Sequence, residues 1–179
     1  MEPGIKLPLE VTIKPRLPAL HFAASVTSAF QGRDRVAATN LGDEVLVSVI
    51  WEPDLDAAAE IVRRAFPDEV FWSAPKIHYI FEARILEPIL LVEVRTPENW
   101  VGNVIGDLMS RRGLMLGQAE DADSFILTAE VPLAELLGYR DTLQRLTMGR
   151  GSALATFVRY APAPPWFDPN EPAAMALRA

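Results

Sequence analysis

The side chains that can do chemistry are few and far apart. The sequence contains two histidines, His21 and His78, and no cysteine. A general base or a metal site needs several such groups within reach of one another, and neither histidine has a partner at ligand spacing. No serine lies in a G-x-S-x-G elbow or near a base in sequence. The pattern favours structural histidines over a catalytic or metal-binding pair.

An acidic cluster at residues 120–123 invites comparison with a calcium loop. Glu120, Asp121 and Asp123 supply carboxylates, but the cluster lacks the glycine and the closing glutamate of such a loop. The sequence also has no G-x-x-x-x-G-K-[ST] loop, whose backbone N–H groups and lysine hold a nucleotide triphosphate. We therefore expect a solvated hairpin turn at the cluster, no bound GTP and no cofactor.

Arginines supply the remaining candidate chemistry. They are Arg111 and Arg112 at the end of one predicted helix, and Arg140, Arg145 and Arg150 along another. Cations in the last turn of a helix complement its dipole, so these residues fit a solvated helical surface. They also fit a small basic patch that contacts RNA phosphates. Both interpretations stay open from the residues alone.

Length and composition limit the partners. The chain has 179 residues, 50% hydrophobic and 23% charged, which suits one large domain or two small ones. Its net charge of −7 argues against a general nucleic-acid coat but permits a local basic patch. No apolar run approaches ~20 residues, and the first residues lack the pattern of a secretory signal. A cytoplasmic protein that does not bind membranes is expected.

The first half of the chain predicts the element order βαββαβ. Leu9, Val11 and Ile13 alternate with polar residues, which is typical of a strand with one buried face. From Leu17 the period changes, and an amphipathic helix is predicted, with its apolar stripe at Phe22, Val26 and Phe30. A hairpin around Leu41-Gly42-Asp43 follows, and Asp54 is expected to cap a second helix, whose apolar positions are Leu55, Ala58, Ala59, Val62 and Phe66. The fourth strand is predicted from Ile77, Tyr79, Phe81 and Ala83.

The second half predicts the same order. Strand one carries Leu90, Val92 and Val94, and Thr96 is expected to cap a helix that ends at Gly113 as its C′ residue. In that helix we expect Trp100, Val104, Ile105 and Leu108 to be buried, and Glu98, Asn99 and Arg112 to be exposed. A hairpin follows, whose core side is Phe125, Leu127, Ala129 and Val131. A helix from Pro132 to the MGRG segment and a strand with Ala153, Ala155 and Phe157 complete the half.

Two repeats of one order indicate an α+β protein made of two tandem ferredoxin-like βαββαβ domains. Each domain is expected to be an antiparallel sheet with two helices on one face. We place the domains at residues 1–85 and 86–163, and a Pro-rich C-terminal tail at residues 164–179, where Trp166 and Phe167 are candidates to pin it to the body.

RNA-binding modules of this topology stack bases on aromatics of the open sheet face. The central strands of the second half carry one aromatic residue, Phe125, which is assigned to the core. The first half offers Trp51 at a strand end and no aromatic residue on its first strand, so a base-stacking role is not expected.

The second half resembles a known family. Its features include Glu87-Pro88, Val104-Ile105-Gly106-Asp107-Leu108, Arg111-Arg112-Gly113, Val131-Pro132-Leu133-Ala134-Glu135, Gly138-Tyr139 and Gly149-Arg150. In this order and spacing, over about eighty residues, they are similar to the C-terminal, fifth domain of bacterial elongation factor G. The first half resembles the third domain of the same factor through LPLEVTIKPR and APKIHYIFEARI. Its second helix departs from the Gly-Glu-Leu-His-Leu-Glu signature, and the GTPase and fourth domains have no counterpart.

The resemblance implies contact with the ribosome. The fifth domain of the family lies at the factor-binding centre of the large ribosomal subunit, which favours Arg111, Arg112, Arg140, Arg145 and Arg150 as contacts to ribosomal RNA or a partner. The expected function is a non-enzymatic, elongation factor G-like ribosome or translation-associated binding module. The alternative is a ferredoxin-like regulatory or assembly module that dimerises and no longer contacts the ribosome. Self-association is left open.

Overall fold

The computed structural model describes residues 7–121 and 123–169. The chain divides into two compact units, Met1–His78 and Tyr79–Ala179. Within the described residues, no helix is long and apolar enough to cross a membrane. Ala122, in the predicted hairpin turn, and residues 170–179 of the predicted tail lie outside the described residues.

From residue 7 onward, the first unit contains β1 (Leu9–Pro15), α1 (Phe22–Ala29), β2 (Val36–Asn40), β3 (Val45–Val49), α2 (Asp54–Ala65), β4 (Val70–Trp72) and β5 (Lys76–Ile77). Its antiparallel sheet has the order β2-β3-β1-β4, and β5 also pairs with β1. This is the strand order of the ferredoxin-like fold, as the sequence predicts.

The core of the first unit lies between strand β1, which has every second residue on its buried face, and helix α1, which has an apolar stripe. The alternate residues Leu9, Val11 and Ile13 of β1 are buried, and so are Phe22 and Val26 of α1 and Phe30 directly after it. Burial of such side chains is the main stabilising contribution, at about 1.5–3 kcal/mol for each large one. Phe22 also contacts Phe66 edge to face, with the ring centroids 5.0 Å apart. The predicted stripe of α1 is therefore confirmed. In the stripe predicted for α2, Ala58 and Val62 are buried, Leu55 and Phe66 are half-buried, and Ala59 is exposed.

The predicted fourth strand of the first unit is correct at Ile77, which pairs with Leu9, and wrong beyond it. On the side of β1 opposite β3, the pairing strands are β4 and β5, which lie on either side of the break at Ser73-Ala74-Pro75. Proline cannot donate to a sheet ladder and therefore favours such a break. The alternation at residues 77–83 misleads because Ile80 and Phe81 form β6 and pair with Leu86 and Ile85 of the second unit.

The predicted cap at Asp54 is also wrong. Asp54 is the first residue of α2, Pro53 precedes it, and no side chain caps the helix. Instead, the Asp54 carboxylate accepts two hydrogen bonds from Arg35, at 3.0 and 2.9 Å. The carboxylate still lies near the positive end of the helix dipole, where negative charge is favourable.

The second unit contains β6 (Ile80–Phe81), β7 (Ile85–Thr96), a 3-10 turn at Glu98–Trp100, α3 (Val101–Ser110), β8 (Leu114–Asp121), β9 (Ser124–Pro132), α4 (Leu133–Leu136), α5 (Tyr139–Leu146) and β10 (Ser152–Pro162). The sheet order is β10-β7-β9-β8, with β6 on β7. This is the ferredoxin-like order again, so the fold class predicted for the chain is confirmed. β10 runs to Pro162, which makes it longer than the sequence indicates.

The core of the second unit is narrower than predicted. Leu90, Val92 and Val94 of β7 are buried, as are Leu127, Ala129 and Val131 of β9. In α3, Val104 and Leu108 are buried as expected. Ile105 of α3, Trp100 directly before it and Phe125 of β9 are half-buried. Thr96 is buried at the end of β7 and makes no side-chain cap to the helix.

The second helix of this unit is broken where one helix was predicted. Leu137 is extended and Gly138 is left-handed, with φ +69°, so α4 ends and α5 begins in a new direction. Glycine adopts this conformation without the cost that a Cβ atom brings. The change of direction buries Tyr139 and Leu143 on α5 as well as Leu133 and Leu136 on α4.

The segment after β10 packs on its own unit as far as it is described. The Ala163 N–H donates to the Ile85 carbonyl at 2.9 Å, and the Phe167 N–H donates to the Pro164 carbonyl at 3.0 Å. The Phe167 ring lies 5.3 Å from that of Tyr79, and Arg112 lies over the Trp166 ring at 5.8 Å. Both aromatic residues therefore hold this segment against the second unit.

Candidate functional site

The C-terminus of α3 sets the position of two predicted site arginines. The N–H of Gly113 donates to the Leu108 carbonyl at 2.9 Å, and the N–H of Arg112 donates to the Met109 carbonyl at 3.2 Å. These two bonds form a Schellman motif, whose C′ residue is left-handed. That residue is Arg112, with φ +59°, and not Gly113 as predicted. Gly113 is needed for another reason, since a Cβ atom there would meet the Leu108 carbonyl oxygen at 2.4 Å.

Arg111 is an interior residue. Only 1% of it is exposed. Its Nε donates to Asp107 Oδ2 at 2.7 Å, and one terminal nitrogen donates to the Glu135 carbonyl oxygen at 2.5 Å. The guanidinium also lies over the Tyr139 ring, 4.9 Å from its centroid. Arg111 therefore ties the end of α3 to α4 and α5, and its charge is directed inward.

Arg112 holds two buried carboxylates. Its terminal nitrogens donate to both oxygens of Glu87 at 2.8 Å, and its Nε donates to Glu135 at 2.9 Å. Burial would lower the pKa of Arg112, but the hydrogen bonds to Glu87 and Glu135 raise it above its ordinary value. Glu87 is 3% exposed, so its carboxyl group lies inside the protein beside this partner. The expectation that Arg112 is exposed is wrong, because the cluster of Glu87, Arg112 and Glu135 encloses most of its side chain.

The C-terminus of α5 forms a second tight loop. Met148 and Gly149 are both left-handed, and the Gly149 N–H donates to the Gln144 carbonyl at 2.8 Å. The buried Thr147 hydroxyl donates to the Leu143 carbonyl and accepts from the Gly151 N–H, each at 2.7 Å. The MGRG segment is therefore held by its own backbone, and Met148 and Arg150 project outward as exposed residues.

Arg150 is the best-placed exposed cation of the predicted set. Its guanidinium lies over the Trp100 ring at 5.5 Å. No carboxylate of residues 7–121 and 123–169 forms an ion pair with it. Arg145, also exposed, donates to the Thr142 hydroxyl at 3.2 Å, and Arg140 lies 3.9 Å from Asp141. An exposed guanidinium beside an indole can bind a phosphate while the ring contacts a base or sugar.

The five predicted site residues thus fall into two groups. Arg111 and Arg112 are held inside by Asp107, Glu87 and Glu135, whereas Arg140, Arg145 and Arg150 follow the exposed side of α5 and its loop. Sequence reasoning missed the carboxylate partners and Trp100. One signal was available: Glu135 interrupts the apolar run Val131–Leu137, and a charge in such a run requires a partner.

The other chemical candidates stay apart. His21 is exposed just before α1, and His78 lies 3.9 Å from Glu10. Asp121 pairs with Arg95, as expected for a solvated hairpin end. Among the residues that the structure describes, no three His, Cys, Asp or Glu side chains are grouped so that they can hold a metal ion.

A family model and two curated proteins are similar in sequence to part of this chain. A family model described as the elongation factor G C-terminus matches residues 84–168. Elongation factor G of Aquifex pyrophilus is 50% identical over 80 residues, which are 45% of this chain and 11% of that protein. Elongation factor G 2 of Hahella chejuensis (strain KCTC 2396) is 42% identical over 102 residues, 57% of this chain and 14% of that protein. The chain thus spans only a small part of the length of these relatives.

A solved structure extends the likeness to the fold of most of the chain. A crystal structure of a protein from Thermus thermophilus has a TM-score of 0.59 at 18% sequence identity, and the match covers 89% of this chain and 41% of that one. At this identity the likeness shows the fold alone. The family-model match lies in the second unit, where the two groups of predicted site arginines lie, and residues 84–168 are an elongation factor G-like C-terminal module.

Proposed function

We propose that this chain is a binding module of the translation machinery that docks on the large ribosomal subunit and catalyses no reaction. The contact surface is the arginine face of α5 and its loop, defined as Arg140, Arg145 and Arg150. The observation that carries the proposal is the exposed Arg150, which lies over the half-buried Trp100 ring and is presented by a loop that backbone and hydroxyl hydrogen bonds hold in place. The similarity of this unit to elongation factor G supports the choice of partner. Such a function takes place in the cytoplasm.

Arg111 and Arg112 have a different part in this proposal. Their guanidinium groups already bind Asp107, Glu87 and Glu135, and a phosphate would have to displace these partners. They position the end of α3 against α4 and α5, and thereby the surface that α5 presents. Replacing them would test folding and not ribosome contact.

Co-sedimentation with 50S subunits over a range of salt concentrations tests the docking. We expect the wild type to bind at low salt and to weaken as salt rises, because neutralised phosphates release condensed counterions. Replacing Arg140, Arg145 and Arg150 by glutamine should weaken binding. It should also flatten the plot of log K against log salt by roughly one unit for each phosphate that the variant no longer neutralises.

The matched control removes the same charge elsewhere. Glutamine at Arg33, Arg63 and Arg64, which are exposed in the first unit, gives the same net charge but leaves the arginine face intact. This control should keep the wild-type slope. Equal loss of 50S binding in both triple variants would show that binding responds to net charge only. Failure of the wild type to co-sediment at low salt would overturn the docking. The alternative of an assembly module would then lead.

The absence of catalysis has its own test. Calorimetric titration of the chain with GTP and with GDP should show no saturable heat, because no phosphate loop is present in the sequence. Saturable binding of either nucleotide at micromolar concentration would overturn the non-enzymatic part of the proposal and leave the docking test unaffected.

A further inference from the structure

The corrected fourth strand of the first unit places an aromatic ring on the open face of its sheet. In β1, Ile13 is buried in the core, so its neighbours Thr12 and Lys14 point to the opposite face, away from the helices. Phe71 of β4 is the cross-strand partner of Lys14 and shares that face. Trp72 pairs with Ile13 and points the other way. The prediction of a fourth strand at residues 77–83 had left this face without an aromatic residue.

Phe71 and Lys14 border a surface hollow of about 350 Å³. Thr12, Glu44, Trp72 and Ser73 also line it. Phe71 is 48% exposed, although it lies within a hydrogen-bonded strand. No carboxylate of the described residues forms an ion pair with Lys14. The hollow thus combines an open ring face with an available cation.

The side chains of this hollow match the parts of a nucleotide. A base stacks on an aromatic ring whatever its identity, and a lysine next to the ring can bind the neighbouring phosphate. Glu44 can accept hydrogen bonds from the exocyclic amino groups of a base. The Ser73 hydroxyl already accepts from the Thr12 N–H at 2.9 Å and donates to the Ala74 carbonyl at 3.1 Å, so it fixes the wall of the hollow.

An extended peptide is the other occupant that an edge strand attracts. Strand addition draws its affinity from main-chain hydrogen bonds, and β4 is only three residues long before the break at Ser73. Lys14 and the exposed ring face contribute little to such a ladder. The charges on this face are mixed, with Lys14 and Lys76 near Glu10 and Glu44 and with His78 next to Glu10, so a short contact is favoured over a long basic track.

We propose that the hollow at Phe71 and Lys14 binds single-stranded nucleic acid, with one base stacked on Phe71 and an adjacent phosphate on Lys14. The site lies in the first unit and requires neither the ribosome nor the arginine face. It therefore goes beyond the proposed function, and each can fail without the other.

The test uses the full chain and a fluorescein-labelled hexanucleotide, measured by anisotropy at low salt without ribosomes. Phe71→Leu should weaken binding at least five-fold, the lower end of what loss of one stacked base costs. Lys14→Gln should reduce the slope of log K against log salt by about 0.7, the value for one phosphate of a single strand. A hexamer with abasic positions should bind the wild type at least five-fold more weakly, but bind Phe71→Leu no differently from the ordinary hexamer.

Two control variants match these changes elsewhere. Phe81→Leu removes an exposed ring of the second unit, and Arg63→Gln removes a charge from α2; both should bind like the wild type. DNA and RNA hexamers run in parallel show whether the 2′-hydroxyl is read, and binding of either supports the proposal. Absence of saturable binding to both at low salt would overturn it. So would equal affinity of Phe71→Leu and the wild type, or binding of an unstructured peptide in place of the oligonucleotides. Circular dichroism melts verify that each variant is folded.

Discussion

The two units of this protein have one topology but end their helices in different ways. In the first unit, α2 ends at Ala65, and the next residue, Phe66, packs its ring against Phe22. In the second unit, α3 ends in a loop held by Arg111, which pairs with the half-buried Asp107, and by Arg112, which pairs with the buried Glu87 and Glu135. The ion pairs of the first unit lie nearer the surface, such as Arg35 with Asp54. An aromatic contact thus holds the end of α2 in the first unit, and a buried ionic cluster holds the end of α3 in the second unit.

This difference separates what determines the topology from what determines the local geometry. Apolar alternation and helical stripes recur in both units, and the strand order is the same. Glu87, Arg112 and Glu135 all belong to the second unit, so this cluster is not what gives both units the same strand order. It holds Arg112, a non-glycine residue, in a left-handed conformation, which persists only where the surroundings determine it. We infer that the cluster serves the precision of the α3 loop, and the next predictions test that inference.

Replacing Arg112 by alanine should cause the largest loss of stability. The change leaves Glu87 and Glu135 buried without their cation, and breaking a buried pair in this way costs about 3–5 kcal/mol. Arg35→Ala in the first unit breaks a more exposed pair and should cost about 1 kcal/mol or less. Urea unfolding, followed through NMR signals assigned to each unit, measures both. Equal effects of the two changes would contradict the contrast between the units.

Replacing Leu108 by alanine tests the apolar part of the same helix. Leu108 is fully buried, so the change removes transfer energy and leaves a cavity, at about 2–5 kcal/mol. Its neighbour Met109 is 62% exposed, and Met109→Ala should alter the free energy of unfolding by no more than ~0.5 kcal/mol. Both are measured by urea unfolding as above. A small effect at Leu108 would mean that the ionic cluster, and not the apolar stripe, holds α3 to its sheet.

Gly113→Ala tests the fit of the α3 loop with a smaller change. The added Cβ atom would meet the Leu108 carbonyl oxygen at 2.4 Å, and such overpacking costs about 1–3 kcal/mol. At Gly106, inside the same helix, a Cβ atom meets nothing within 4 Å. Gly106→Ala should therefore stabilise the protein by about 0.5–1 kcal/mol through helix propensity. Thermal unfolding of both variants gives the comparison, and a Gly113→Ala variant as stable as the wild type would show that the loop is adaptable.

Periodicity allowed the fold to be predicted, because Leu9, Val11 and Ile13, or Leu90, Val92 and Val94, report burial through their own spacing. The fourth strand could not be placed in this way. Alternation at residues 77–83 says that a segment is extended but not which sheet it joins. The burial of Arg111 and Arg112 was missed for a similar reason. Glu87 lies 25 residues before Arg112 and Glu135 lies 23 residues after it, so their contact depends on the sheet that brings them together.

The smallest expected effect concerns Tyr79, which belongs to the second unit and packs against Phe167. Burial, together with the nearby charge of Glu87, raises the pKa of Tyr79 to about 12 from an ordinary value of 10.0. A raised folded-state pKa stabilises the fold below pH 10, and this contribution is lost as pH rises from 10 to 12. Two pKa units correspond to ~2.7 kcal/mol, but Tyr79 is only half-buried, so screening by solvent should leave much less.

Tyr79→Phe keeps the ring contact and removes the titration. Urea unfolding of both proteins is measured at intervals between pH 9 and 12. The free energy of unfolding of the wild type should therefore fall relative to that of Tyr79→Phe as the pH rises. If the difference stays constant over this range, Tyr79 titrates alike in the folded and unfolded chain, and the C-terminal segment does not shield it.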